Sequence, residues 1–311
     1  MMTPKERAVA ALTLQTPDQV PHFELEFQLA DELFGTPFLT FDDIKNLSPC
    51  EKEYRIKENA EYILKVYEEL EYAILPIHYL DRDGMIMTAR HIRSLVGDKY
   101  MICAHGDGTY AIPSGEEMLD FVYGLADRPE EAKRKAEQMA KRAIENNKLL
   151  IEGGYDSFIL CSDYCFNSGP FLSPTMFREF IQPYLYQIIK ETKAAGAYTI
   201  KHTDGDIMPI LDQLVECEPH ALHSIDPMAG VDIKKVKELV GDKVCLCGNV
   251  HCAAMQTGSD EEIIKSAEYC LTHGKTGGGY IFCSSNTPFK GMPLEKYLLI
   301  LDVWKRMRNY E

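Results

Sequence analysis

From about residue 150 onward the chain alternates between short apolar β-type runs and helical segments, and that rhythm restricts its fold more than any other feature. The runs are DSFILCSD, AYTIKHTDG, HALHSID, KVCLCGNV and GGYIFCSSN. A helix opening at Ser173-Pro174 and running to Ala195 follows the first, and DIMPILDQLVEC, DIKKVKELVG and SDEEIIKSAEYCLTHG separate the rest. The terminal helix PLEKYLLILDVWKRMRN closes the series. Strands joined by helical connections of roughly 10–15 residues are βαβ units, which pair in parallel and bury the sheet under helices.

Two more strands, VPHFELEF and EYAILPIHYL, flank a helix spanning Ser48 to Leu70, whose apolar residues (Tyr54, Ile56, Ala60, Ile63, Leu64, Tyr67) recur at helical spacing. That makes seven strands. One further strand within the irregular residues 80–130 completes a single (β/α)8 TIM-type barrel, with a doubly wound open sheet as the alternative. MTPKERAVAALTLQ predicts an N-terminal decorating helix, with Thr3 as cap, Pro4 in the first turn and Glu6 three residues after the cap. Residues 84–112, rich in β-formers and broken by Gly-Asp pairs, predict a β-rich hairpin insertion, and a long charged helix is expected from Pro129 to Glu152. No linker, repeat or low-complexity tract divides residues 1–311, so one domain is expected. No GxGxxG follows the first strand and GxxxxGK[ST] is absent, which removes the main support for dinucleotide or P-loop chemistry.

Charge narrows the function. With 33 Lys plus Arg against 48 Asp plus Glu, the net charge is −15 and no basic stripe stands out, so neither nucleic acid nor an anionic membrane is an expected partner. Ten cysteines in 311 residues are too sparse for a secreted disulfide scaffold. The N-terminus has no apolar signal core, and no apolar run is long enough for a bilayer, so a cytoplasmic location is expected.

In such barrels chemistry gathers where the strands end. Here those ends carry Glu24 and Glu26; His78, Asp81 and Asp83; Asp163; His202 and Asp204; Asp226; Cys247 and Asn249; and Cys283, Ser284, Ser285 and Asn286. Alternation along KVCLCGNV puts Val244, Leu246 and Val250 on one face and Cys245, Cys247 and Asn249 on the other. The same rule puts Ile200, His202 and Asp204 on one face. Each residue also has a plainer reading. Cys103, Cys161, Cys217, Cys245 and Cys270 are expected in the core. His91, His105 and His273 are expected at the surface, Asp204 has the chemistry of a helix cap, and the glutamates of FELEF suit a solvated strand face.

The chain resembles the uroporphyrinogen decarboxylase superfamily, closest to its corrinoid-dependent (methylcobalamin) methyltransferase branch. The resemblance lies in TPKERAVAAL with TPDQVPHFELEF, in GPFLSPTMFREF through IKHTDGDIMPILDQLVE, in DPMAGVDIKKVKELVGDKVCLCGNV and in GGGYIFCSSNTPFKGMPLEKY. It implies a barrel with its site at the C-terminal mouth. In the coenzyme M branch a zinc ion is held by a His-x-Cys pair and a further Cys near the last strand. Here the pair reads His202-Thr203-Asp204, and the last cysteine position falls at about Asn286, three residues beyond Cys283.

The resemblance therefore implies a corrinoid-dependent methyltransferase moving a methyl group between a small methoxylated or methylated compound, or a thiol or pterin acceptor, and the cobalt of a partner corrinoid protein. Zinc is the implied cofactor, with His202, Asp204, Cys247 and Cys283 as candidate ligands. Glu24, Glu26, Asp163, His202 and Asp204 are candidate catalytic groups, and Asn249, Ser284 and Asn286 candidate cofactor contacts. The chain lacks an Asp-x-His-x-x-Gly corrinoid motif, so the corrinoid is expected on a partner or free as cobalamin. Alternatives are a carboxy-lyase acting on a small carboxylated substrate, or a non-catalytic ligand-binding barrel. Porphyrinogen decarboxylation fits poorly, since glutamates stand in VPHFELEFQLA where arginines grip that substrate's carboxylates.

Overall fold

The architecture follows from a computed structural model that describes residues 1–310. Seven parallel strands form one sheet in the order β1 (Ile74–Pro76), β2 (Met101–His105), β3 (Ser157–Leu160), β6 (Tyr198–Thr203), β7 (Ala221–Ser224), β8 (Cys245–Cys247) and β9 (Tyr280–Ile281). The antiparallel pair β4 (Cys165–Phe166) and β5 (Gly169–Pro170) stands apart as a hairpin in the loop after β3.

The VPHFELEF segment supplies the eighth stave. His22 bridges Phe282 in parallel, the Phe282 amide donates to the Pro21 carbonyl at 2.9 Å, and the Ala73 amide donates to the His22 carbonyl at 2.7 Å. Residues 20–24 thus join the β9 edge to the β1 edge and close the sheet into a (β/α)8 barrel, which leaves no free edge. Cys247 pairs in register with His223 of β7, itself paired with His202 of β6, so the three side chains share one face of the sheet.

The helix Pro4–Leu12 closes the bottom of the barrel. Thr3 and Glu6 form the expected capping box, and the Lys5 amide bonds the Lys99 carbonyl. The helix Pro129–Glu152 has the expected bounds. The helix expected from Ser173 to Ala195 is capped by Ser173 but divides at Ile181 into Pro174–Phe180 and Gln182–Ala194, with Pro183 in the first turn of the second piece.

Residues 84–112 are not hairpins. A helix, Arg82–Val96, buries Met85, Thr88, Ala89 and Ile92 along one face, and β2 follows it. The β-formers that suggested strands lie at helical spacing, and of the Gly-Asp pairs Gly97-Asp98 sits just past the helix end and Gly106-Asp107 just past β2. Asp81 caps the start by accepting from the Gly84 amide at 3.0 Å, and a Cβ on Gly84 would lie 2.8 Å from that carboxylate. The missing barrel strand was within this region, as β2.

Candidate active site

The loop IKHTDGD leaves β6 at the C-terminal end of the barrel. Gly205 has φ +84 there, and a Cβ on it would come within 2.5 Å of the Cys165 carbonyl, so only glycine lets the loop turn beneath the β4–β5 hairpin. This turn brings His202 and Asp204 beside Asp163, from the end of β3. One nitrogen and two carboxylate oxygens lie within 4.8 Å of one another, a donor set suited to a metal ion. His202 Nε2 is 3.7 Å from Asp163 Oδ1 and 3.8 Å from Asp204 Oδ1.

Each member is held from behind. His202 Nδ1 lies 2.8 Å from Nδ1 of His223, its register partner on β7. For Nε2 to offer a lone pair, Nδ1 of His202 must carry the proton and donate it to His223, which then carries its own proton on Nε2. That His223 nitrogen is buried without a protein partner. The Asp204 amide donates to Asp163 Oδ1 at 3.0 Å. Asp204 Oδ1 is 2.9 Å from the Ser224 hydroxyl, and its Oδ2 accepts a 2.6 Å bond from Asn286 Nδ2. Ser224 and Ile225 take left-handed φ values of 81 and 50, uncommon for Ser and strained for a β-branched residue, at the strand end that presents this hydroxyl.

Electrostatics favour a cation. Burial, with the Asp163 charge second, raises the Asp204 carboxyl to about 6. Burial also lowers His202 to about 3, so the imidazole is neutral at ordinary pH. Among the described residues, no lysine or arginine forms an ion pair with Asp163, Asp204 or Asp226.

The other expected site residues lie around this group. Cys247 does point into the barrel, but His223 stands between it and His202 in the register row. Cys247 and Cys283 are fully buried, burial raises both thiols well above the ordinary range, and neither belongs to the three-residue cluster. Glu24 is fully buried rather than on a solvated face. The Ser284 amide donates to both its oxygens at 3.1 Å, and the Ser284 hydroxyl is 2.5 Å from Oε2. Ser284 also approaches the Asn286 carbonyl at 3.2 Å, so Glu24 anchors the loop that carries Asn286 to Asp204. Asn249 binds the Ile225 carbonyl at 2.6 Å and fixes the β7 and β8 loops to each other. Glu26 sits at the end of the closing stave, 3.9 Å from His78 Nε2.

Sequence reasoning missed His223, whose place on the inner face becomes visible only through register. It also misplaced His105, which is stacked on His78 and has a buried Nε2, not a surface ring. Cys103, Cys217, Cys245 and Cys270 are core residues as expected, while Cys161 is half-buried. Lys201, alternating with His202, is wholly buried and bonds Asp107 at 2.9 Å together with the Leu160 and Ser162 carbonyls. It thereby tethers the loops after β2 and β3, directly beside Asp163.

Among the described residues, no helix is long and apolar enough to cross a membrane. The sequence profile described as uroporphyrinogen decarboxylase (URO-D) matches residues 109–307. No curated protein matches the chain in sequence. Among solved structures, a methyltransferase from Methanosarcina mazei superposes with a TM-score of 0.76 at 17% identity, covering 98% of this chain and 99% of that one. A β-L-arabinopyranosidase from Geobacillus stearothermophilus superposes with a TM-score of 0.52 at 10% identity, covering 96% and 79%.

Proposed function

The chain belongs to the uroporphyrinogen decarboxylase family, and from that premise we propose that it is a metal-assisted methyltransferase exchanging a methyl group between a small methylated compound and the cobalt of a corrinoid on a partner protein or free cobalamin. The observation that carries this reading is the Asp163, His202 and Asp204 cluster at the barrel mouth. The likeness in fold to the Methanosarcina mazei methyltransferase supports it.

The residues present suit zinc: one imidazole and two carboxylates are sufficient protein ligands for a catalytic site with an open position. Bound there, zinc would supply Lewis acidity to the heteroatom that gives up or accepts the methyl group. The protein does the rest. His223 fixes the His202 tautomer so that Nε2 faces the carboxylates. Asn286 and Ser224 hold both oxygens of Asp204, and the Asp204 amide steadies Asp163. Glu24 and Ser284 brace the Asn286 loop. This ligand set takes Asp163 where the sequence pointed to Cys247.

Decarboxylation of a polycarboxylate has weaker support. Such a substrate needs cationic clamps, whereas the mouth presents Glu26, Asp163, Asp204 and Asp226, none ion-paired with Lys or Arg among the described residues. Two measurements test the proposal. Purified protein should hold about one equivalent of metal that His202→Ala removes, and it should change the cob(I)alamin spectrum to that of methylcobalamin when given its methyl donor. Absence of metal from carefully prepared wild-type protein would leave only ligand binding; metal without any methylation of cobalt would favour the lyase.

A further inference from the structure

On the wall of the mouth formed by the closing stave, β1 and β2 lies a second polar group that the metal cluster does not use. His78 and His105, neighbours by extension of the β1–β2 register, stack with ring centroids 3.9 Å apart and planes 16° apart. Both nitrogens of His78, Nε2 of His105 and the hydroxyl of Tyr79 are buried without hydrogen-bond partners. The Glu26 carboxylate is 3.9 Å from His78 Nε2, too far for a hydrogen bond. The Tyr79 ring packs 4.4 Å from that of His78. Leaving several buried polar groups unpaired is costly, and native proteins rarely tolerate this without a ligand or ordered water to satisfy them.

The geometry decides against a second metal ion. An imidazole binds metal through a lone pair in its ring plane, and two rings stacked almost parallel hold those lone pairs in separate planes that do not converge on one ion. The charge balance decides between organic ligands. Glu26 has no lysine or arginine partner among the described residues, and neither have Asp163, Asp204 and Asp226 in the same mouth. An anionic ligand would meet repulsion from these carboxylates with no ion-paired lysine or arginine to offset it, whereas a cation would find a carboxylate flanked by aromatic faces, the pairing that recognises ammonium groups.

We infer that Glu26, His78, His105 and Tyr79 form a subsite for an organic cation, with the ammonium group on Glu26 and the aromatic rings, and the imidazole nitrogens serving as hydrogen-bond partners for its polar end. Joined to the methyl-transfer proposal, on which this extension rests, it makes the small substrate a cationic compound rather than an acid, with its ammonium group in this subsite and its methylated heteroatom at the metal cluster.

Binding is measured on metal-free protein without corrinoid, using choline and its neutral isostere 3,3-dimethyl-1-butanol as probes. Calorimetry should show choline binding at least tenfold more tightly, and Glu26→Gln should abolish that preference. In wild-type protein the imidazole nitrogen resonances of His78 and His105 should move with choline. Equal binding of the two probes overturns the inference, as does an unchanged preference in folded Glu26→Gln or an unmoved pair of imidazoles. So does an imidazolium at His78 already paired with Glu26 in the free protein. Failure of methyl transfer is read separately, by cobalt spectroscopy: choline binding without it sinks the enzymatic proposal and leaves the subsite standing.

Discussion

The side-chain amide of Asn286 donates a 2.6 Å hydrogen bond to Oδ2 of Asp204. By the resemblance these two positions, the second at about Asn286, correspond to cysteine ligands in the coenzyme M branch, and here they touch. A carboxylate fixed by an amide in their place would offer a metal harder, oxygen-rich donors.

The contact predicts that Asn286 governs metal affinity without being a ligand. Asn286→Ala removes the bond to Oδ2 and leaves Asp204 held only through Ser224. Loss of such an outer hydrogen bond typically costs 10- to 100-fold in affinity. Chelator competition should show a fall of roughly that size, with the thermal melt of metal-free protein almost unchanged. Equal affinity in the variant would remove Asn286 from the site.

His223 should act through the tautomer of His202. Asparagine at this position retains an acceptor for the His202 Nδ1 proton, whereas leucine leaves it buried and unsatisfied. His223→Leu is therefore expected to weaken metal binding by about 10- to 100-fold, and His223→Asn to recover much of it. If both variants bind equally well, the 2.8 Å contact between the imidazoles does not set the tautomer.

How much of this was legible in the sequence depends on the kind of signal. The βαβ rhythm needs only local periodicity, and it yielded the barrel as well as the expectation of one hidden strand. His202 and Asp204 were legible because a glycine turn at a strand end is a local pattern. His223 was not: HALHSID shows a histidine in a strand, but its contact with His202 depends on the offset between β6 and β7, which no local pattern encodes. Asp163 was visible only as one polar strand end among many. Residues 84–112 misled because helical spacing among β-formers looks, over short windows, like strands, and Gly84 looks like a turn unless one knows that Asp81 folds back over it. His105 appeared polar and superficial because GDG follows closely, yet its strand pairs on both sides.

The buried ion pair makes a separate prediction about positioning. Lys201 Nζ meets Asp107 at 2.9 Å, with both side chains almost wholly buried, and also binds the Ser162 carbonyl next to Asp163. Lys201→Met would leave Asp107 charged in the interior, a loss of about 3–5 kcal/mol. The double variant Lys201→Met/Asp107→Asn removes both charges and should be less damaged than the sum of the single changes, measured by urea unfolding. Metal affinity should still fall in the double variant, since the Lys201 bond to the Ser162 carbonyl is gone. Full affinity there would mean that Lys201 serves stability alone.

The last prediction concerns Glu24, whose carboxyl is raised from 4.5 to about 8 by complete burial, only partly offset by the Ser284 bonds. A raised carboxyl keeps its proton in the native protein at pH values where the unfolded chain has released it. Below about 4.5 both states are protonated and this group adds no pH dependence. Between there and about 8 stability declines, by about 1.4 kcal/mol per pH unit, and above 8 the decline from this group is complete, on the order of 5 kcal/mol in all. The glutamine side chain introduced by Glu24→Gln would resemble the protonated acid: its oxygen accepts from the Ser284 amide and its amide donates to the Ser284 hydroxyl, so the brace on the Asn286 loop is kept. Urea unfolding of wild type and Glu24→Gln at about pH 5 and pH 8.5, on either side of the native titration, separates this contribution from every other titrating group, because all others are common to the two proteins. The pair should be within about 1 kcal/mol at about pH 5, while the glutamine variant should be the more stable by several kcal/mol at about pH 8.5. A wild-type protein that gains on the variant as pH rises would show that Glu24 is ionised in the fold, and that the Ser284 bonds outweigh its burial.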